Sequence, residues 1–233
     1  MGRQLKKINK NIKANSHSKH YLLHRYWGRK AHNVVNEYIK NYTKKNDLVL
    51  DPFMGSGVVP IECSKMQRKS IGVDLNPIST FIVNNTINKI DLNLLEKNFK
   101  KIFNKNKKKY GSFYYSKCKK CNSDAIIENS VWKEKVFYSI KIKCKKCGVS
   151  IKKADELDKK LLNKISLIFN KEKNNFYYPK EKILKYVKRS DKTHMNMLFT
   201  ERALIILGNI NKDIEKITNK KIRENLKLCF SSM

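Results

Sequence analysis

The sequence LVLDPFMGSG, from Leu48 to Gly57, sets the architecture of this chain. A short apolar run of strand length ends in an acidic residue, and a glycine-rich turn then leads into a helix predicted over residues 58–67. Residues 70–74 form a second short strand. Asn76 and Pro77 then have the sequence of a helix N-cap followed by the first helical residue. The order strand, glycine turn, helix, strand predicts a βαβ unit with two parallel strands.

Helical periodicity is found on both sides of this unit. Apolar residues recur with the 3.6-residue spacing of a helix over 33–45, 91–105 and 155–169. Thr200 has the sequence context of a cap ahead of a last helical region, and the polar stretch 171–197 predicts a long loop. The chain is therefore expected to be α/β, with no further strand of the parallel sheet recognisable towards the C-terminus.

The composition excludes several classes of protein. The 233 residues suffice for one or two domains, and the hydrophobic content of 40% argues against full disorder. No uncharged apolar run reaches the length of a membrane span, and the basic N-terminus lacks the apolar region of a secretory signal, so a cytoplasmic protein is expected. The net charge of +32 indicates a polyanionic partner, or a solvated surface whose lysines reflect codon bias.

Four of the six cysteines form two Cys-x-x-Cys pairs, separated by 22 residues. Each pair places two thiolates on one tight turn, and two such turns can close a tetrahedral site of the kind that Zn²⁺ prefers. The predicted metal ligands are Cys118, Cys121, Cys144 and Cys147. They predict a zinc ribbon inserted over residues 113–151. Its lysine-rich turns could contact phosphate, or the ribbon could serve only to rigidify the insertion.

At these motifs the chain resembles a known family. LVLDPFMGSG together with IGVDLNP, from Ile71 to Pro77, is similar to the first two motifs of S-adenosylmethionine-dependent DNA amino-methyltransferases, which modify N6 of adenine or N4 of cytosine. The upstream sequence HRYWGRKAHNVV, from His24 to Val35, resembles a segment that precedes the first motif in one branch of the family. That segment usually has Lys-Pro, whereas Ala31 follows Lys30 here. This branch also resembles the chain in carrying an inserted zinc ribbon.

The resemblance implies a partial Rossmann-like methyltransferase domain with S-adenosylmethionine and Zn²⁺ as cofactors and DNA as partner. The glycine turn would wrap the methionine part of the cofactor, and the acidic residue after the second strand would hold its ribose. The implied cofactor-binding residues are Asp51, Pro52, Phe53, Gly55, Ser56, Gly57, Asp74 and Asn76.

The family's catalytic signature is missing from this sequence. That signature is a Pro-Pro pair preceded by Asp, Asn or Ser and followed by an aromatic residue, whereas none of the four prolines here neighbours another. No catalytic residue is therefore assigned. We expect a truncated or split N-terminal portion that needs a second polypeptide carrying the catalytic half. The alternatives are a zinc-ribbon nucleic-acid-binding module without catalysis and a fragment of an RNA methyltransferase.

The expected organisation follows from these motifs. Two parallel strands with open edges and faces invite a partner, so the chain alone should be held mainly by its helices and by zinc. The expected segments are a flexible basic tail over 1–16, the cofactor-binding part over 17–112, the ribbon over 113–151, and a helical part of an incomplete methyltransferase domain over 152–233.

Histidines and aromatic residues cluster ahead of the first helix. His17, His20, His24 and His32 lie near Trp27 in the sequence, and they could form a second metal site. The favoured interpretation is that the stretch from His24 to Trp27 packs over the glycine turn or faces DNA.

Overall fold

The computed structural model describes residues 7–133, 136–184 and 192–232. Its contacts divide the chain into two compact units, one formed by Met1–Glu96 with Ile217–Met233 and the other by Lys97–Lys216. The helices and strands, in chain order, are α1 (His32–Tyr42), β1 (Leu48–Asp51), α2 (Val58–Lys65), β2 (Lys69–Gly72), α3 (Pro77–Ile87), α4 (Leu92–Tyr110), β3 (Tyr115–Lys117), β4 (Asp124–Lys133), β5 (Val136–Cys144), β6 (Gly148–Lys153), α5 (Glu156–Glu172), α6 (Glu201–Glu215) and α7 (Lys220–Phe230).

The first unit contains the predicted βαβ arrangement. Strands β1 and β2 pair in parallel, with Leu48 opposite Lys69 and Asp51 opposite Gly72. Helix α3 begins as predicted, because the Asn76 side chain accepts a hydrogen bond from the backbone N–H of Ile78. The α/β class and the parallel pair are therefore confirmed.

One face of the parallel pair is open. Leu48, Leu50 and Ile71 share this face and are 60%, 63% and 49% exposed. On the opposite face, Gly72 lies against Pro60 of α2. Parallel strands are normally covered on both faces, so this open apolar face is unusual.

The C-terminal helix belongs to the first unit. Helix α7 packs against α3, and the Asn225 side chain donates a hydrogen bond to the Asn85 carbonyl oxygen at 3.1 Å. This hydrogen bond joins residues that are 140 positions apart in the sequence.

The second unit is built around an antiparallel sheet in the order β3-β4-β5-β6. Its buried face carries Ala125, Ile127, Ile140 and Ile142, and Leu162 of α5 packs against them. At the start of α5, Asp158 is buried and accepts hydrogen bonds from Ser116 and Lys152. These bonds tie the helix to the sheet.

Some element limits differ from those predicted. Helix α4 extends to Tyr110 because its amphipathic pattern continues into the lysine-rich stretch. The predicted loop over 171–197 starts only after Glu172 and contains a short 3-10 turn at Met195–Leu198. Residues 185–191 of that loop and residues 1–6 of the predicted tail lie outside the described residues.

The predicted cap at Thr200 is confirmed. The Thr200 side chain accepts a hydrogen bond from the N–H of Ala203 and so caps α6. In the described part of the chain, no strand follows β6, and no helix has both the length and the apolar character needed to span a bilayer.

Candidate functional site

The glycine turn lies at the carboxyl end of β1. Asp51 is buried, and its carboxylate accepts a hydrogen bond from the Phe53 N–H at 3.2 Å and lies 3.4 Å from the Lys30 ammonium. The Met54 N–H donates to the Val73 carbonyl at 3.0 Å, which holds the turn beside the end of β2. The loops that follow both strands therefore meet at one edge, where ligands of open parallel sheets bind.

Asp74 joins these two loops. One carboxylate oxygen accepts the Gly55 N–H and the other accepts the Asn76 N–H, each at 2.8 Å. The hydrogen bonds from Asn76 and Gly55 hold the pKa of the Asp74 carboxyl below its usual range, so it is ionised at neutral pH. A carboxylate has about four acceptor sites; the two N–H groups and a hydrogen bond from the Ser79 side chain take three, so one remains for a ribose hydroxyl.

An exposed apolar side chain lies in each of the loops that follow β1 and β2. Phe53 is 82% exposed and Leu75 is fully exposed. Such side chains at the ligand edge can contact a flat apolar group such as a purine. Sequence reasoning named Phe53 and missed Leu75. The signal that could have found it is an apolar residue directly after the acidic end of the second strand.

The upstream segment packs on the glycine turn. The Tyr26 hydroxyl lies 3.1 Å from the Ser79 hydroxyl, and its ring closely approaches Gly55. Arg29 donates to the Ser56 hydroxyl at 3.0 Å and also to the carbonyls of Tyr21 and His24. The predicted packing over the turn is confirmed for Tyr26, and the sequence missed Arg29.

Other side chains of the upstream segment do not join this packing. Trp27 is 97% exposed. The His17 and His32 rings lie 6.0 Å apart, and the described residues contain no metal-ligating group of three or more outside the paired cysteines. The alternative of a second metal site among the histidines is therefore not supported by the described residues.

A buried hydrogen-bond network connects the upstream segment to helix α2, which follows the glycine turn. Tyr21 donates to Glu62 at 2.6 Å, and Asn36 and Lys65 donate to the same carboxylate. Burial alone raises the pKa of Glu62, but the hydrogen bonds from Lys65, Tyr21 and Asn36 outweigh it and leave the pKa below its usual range. The network fixes the upstream segment against α2.

Gly57 is expected to be intolerant of a side chain. Its φ of +78° is unfavourable for other residues, and an added Cβ would overlap Val83 of α3. Gly57→Ala should lower the free energy of unfolding by about 2–4 kcal/mol, measured by urea unfolding. Gly28→Ala is the matched control, because Gly28 also has a positive φ but open space around it, so only about 1 kcal/mol should be lost. Equal losses in both variants would contradict the overlap.

The four paired cysteines come together in the second unit. Cys118 and Cys121 lie on the turn between β3 and β4, and Cys144 and Cys147 lie on the turn between β5 and β6. All four Sγ atoms lie within 4.8 Å of one another. Zn–S bonds of about 2.3 Å in a tetrahedron require S–S distances of roughly 3.8 Å, and the Cys121 and Cys144 sulfurs are 3.6 Å apart. The thiolate set therefore fits a tetrahedral metal ion.

Local backbone geometry supports the same conclusion. Asn122 and Gly148, which follow the second cysteine of each pair, have φ angles of +54° and +76°. Hydrogen bonds from the hydroxyl and the backbone amide of Ser123 lower the pKa of the Cys121 thiol to about 6. The lowered pKa favours the thiolate form, which is the form that binds metals.

The part of the chain that contains the glycine turn is similar to known proteins. The family model for DNA methylases matches residues 3–85. The type II methyltransferase M.MjaII of Methanocaldococcus jannaschii is 33% identical over 85 residues, covering 36% of this chain and 16% of that protein. M.Cfr9I of Citrobacter freundii is 42% identical over 62 residues, covering 27% and 21%.

A third relative gives the same picture. The type II methyltransferase M1.MboII of Moraxella bovis is 36% identical over 64 residues, covering 28% of this chain and 25% of that protein. The chain thus spans a quarter or less of the length of these relatives. No solved structure matches the chain significantly.

Proposed function

From the match of residues 3–85 to the family model for DNA methylases, which agrees with the motifs, we propose that the chain provides the S-adenosylmethionine-binding part of a DNA amino-methyltransferase. The reaction would transfer a methyl group to the exocyclic amine of adenine or cytosine. One observation carries the proposal: within the matched segment, the Asp74 carboxylate is hydrogen-bonded to the glycine turn at the carboxyl edge of two parallel strands.

Each residue of the site would have a distinct role in holding the cofactor. Asp74 would accept a ribose hydroxyl, while Gly55 and Gly57 would allow the backbone to approach the methionine part. Leu75 would contact the adenine, while Phe53, as part of the glycine turn, would line the methionine part. The remaining proposed residues of the turn and the helix cap are Asp51, Pro52, Ser56 and Asn76.

Binding and orientation are what these residues can contribute to catalysis. S-adenosylmethionine, when bound, supplies an already activated sulfonium methyl group. The chain must therefore hold that group in line with the target amine and exclude water. Arg29 and Tyr26, which contact the glycine turn, would keep its backbone rigid during this step. The target base must leave the duplex to be reached.

Zinc is the metal that we propose for the cysteine cluster. The donor set is four thiolates in near-tetrahedral proximity, which favours Zn²⁺ over the harder cations. Its role would be structural, because all four positions are taken by protein ligands. The second unit would then be a zinc ribbon followed by helices.

The open face of the parallel pair supports a further part of the proposal. In a Rossmann-like sheet, Leu48, Leu50 and Ile71 would be covered by additional elements. We infer that a polypeptide carrying the catalytic motif covers this face. Such a partner would also supply the groups that hold the target amine, since none is assigned in this chain.

Cofactor binding by the chain alone tests the proposal. Isothermal titration with S-adenosylmethionine should show one site, and ATP, which shares the adenosine but lacks the methionine part, should bind at least 10-fold more weakly. Absence of any S-adenosylmethionine binding would overturn the proposal. Methylation of duplex DNA without an added polypeptide would overturn the need for a partner, and preferential methylation of structured RNA would favour the RNA alternative.

A further inference from the structure

The antiparallel sheet of the second unit has one free face. Helix α5 covers its inner side, while the outer side faces solvent. Four residues lie opposite one another across all four strands on that outer side: Tyr115, Ile126, Lys143 and Val149. All four are exposed, and Ile151 of the same face is 74% exposed. The outer face therefore mixes apolar surface with positive charge.

Positive charge is concentrated at one end of this sheet. Residues 113–153 contain eleven lysines and only three carboxylates. Of the described carboxylates, Asp124 pairs with Lys117 and Glu128 pairs with Lys141. The two Cys-x-x-Cys turns each carry two exposed lysines. We call these four the knuckle lysines: Lys119, Lys120, Lys145 and Lys146.

Within the described residues the knuckle lysines have no acidic partners, and the cysteines beside them lie close together. No described carboxylate forms an ion pair with any of these lysines. The lysines are grouped because the neighbouring cysteine sulfurs converge within 4.8 Å. Four thiolates with one Zn²⁺ would carry a net charge of −2, so four lysines exceed what that site needs for compensation. A surplus of unpaired positive charge remains on the two turns.

Resting on the proposed function, in which DNA is the substrate, we propose that the knuckle lysines and Lys143 bind the phosphate backbone of duplex DNA. Grouped ammonium groups match the closely spaced phosphates of a duplex, and the exposed apolar strip beside them can contact sugar edges. Such contacts position the duplex without reading its sequence. The metal then has an indirect role in substrate binding, because it holds the two lysine-bearing turns together.

A charge-matched pair of variants tests this site. In the zinc-loaded full chain, K119Q/K120Q/K145Q/K146Q should bind a labelled 25-base-pair duplex at least 10-fold more weakly at 150 mM salt. The magnitude of the slope of log affinity against log salt should fall by about 3.6, since each of the four lysines neutralises one phosphate and contributes about 0.9. The control K101Q/K108Q/K160Q/K164Q removes four exposed lysines from α4 and α5 of the same unit and should change the affinity less than 3-fold.

An additional variant and two further measurements distinguish the possible causes of weaker DNA binding. The arginine version of the knuckle variant keeps the charge and should restore binding. Bound zinc and S-adenosylmethionine affinity should be unchanged in all variants, so loss of DNA binding alone is distinguishable from failure of the proposed function. Unchanged DNA affinity in the knuckle variant, an equal loss in the control, or tighter binding of an RNA hairpin than of the duplex would each overturn the proposal.

Discussion

Replacing Cys144 with serine is expected to unfold the antiparallel sheet of the second unit. Cys144 is buried at the end of β5, and its sulfur lies 3.6 Å from that of Cys121. A structural zinc site contributes about 10–16 kcal/mol of apparent folding free energy, and a weaker, hydroxyl-bearing ligand set forfeits much of it. The apolar core of this sheet is small, so it cannot compensate for that loss.

Zinc content, limited proteolysis and thermal unfolding measure this effect. Cys144→Ser should bind less than one zinc per chain and expose the sheet to proteolysis, and treatment of the parent protein with a strong chelator should have the same effect. Cys229→Ser is the control, because Cys229 is exposed and distant in sequence from the cluster. A Cys144→Ser protein with the parent's protease resistance and melting temperature would contradict a structural role for the metal.

Asp74→Asn is expected to abolish most of the binding of S-adenosylmethionine. The substitution removes the negative charge that would accept a ribose hydroxyl, and it leaves the Gly55 and Asn76 amides with a single acceptor oxygen. Hydrogen bonds to a charged group are worth about 1.5–3 kcal/mol each, so the affinity should fall roughly 100-fold. Isothermal titration measures the change.

Asp91→Asn provides the matched control for this prediction. Asp91 is an exposed carboxylate that, like Asp74, accepts a backbone N–H ahead of a helix, here from Leu94. Its replacement should leave cofactor affinity within 2-fold of the parent. If Asp74→Asn bound the cofactor as tightly as Asp91→Asn, the assignment of the ribose to Asp74 would be wrong.

The lowered pKa of Asp74 determines the direction in which its contribution changes with pH. The N–H groups of Asn76 and Gly55 lower the pKa of Asp74 in the folded protein relative to the unfolded chain. A lowered pKa means that the stabilising contribution is complete above the unfolded pKa of about 3.9 and is lost as the pH falls through the folded pKa. The contribution of Asp74 to cofactor affinity should therefore stay constant from pH 8 to about 5. Asp74→Asn should remove any decline that Asp74 causes at lower pH.

Local signals made part of this protein predictable from sequence. Strand, glycine turn and helix follow one another within residues 48–65, and each is specified by side chains a few residues apart. The Asn76 cap and the paired cysteines are likewise short patterns with a single geometric solution. The cysteine cluster joins two such patterns, and the chemistry of four thiolates predicts the pairing even though 22 residues separate them.

Contacts between distant segments were decided only by the tertiary structure. Arg29 reaches Ser56, Asn225 reaches Asn85, and Ser116 reaches Asp158, across 27, 140 and 42 residues respectively. Helical or strand periodicity shows which face of an element is apolar, but it does not show which other element covers that face. The sequence by itself therefore determined the glycine turn and the cysteine turns. Three-dimensional packing determined which side chains support them and which faces remain open.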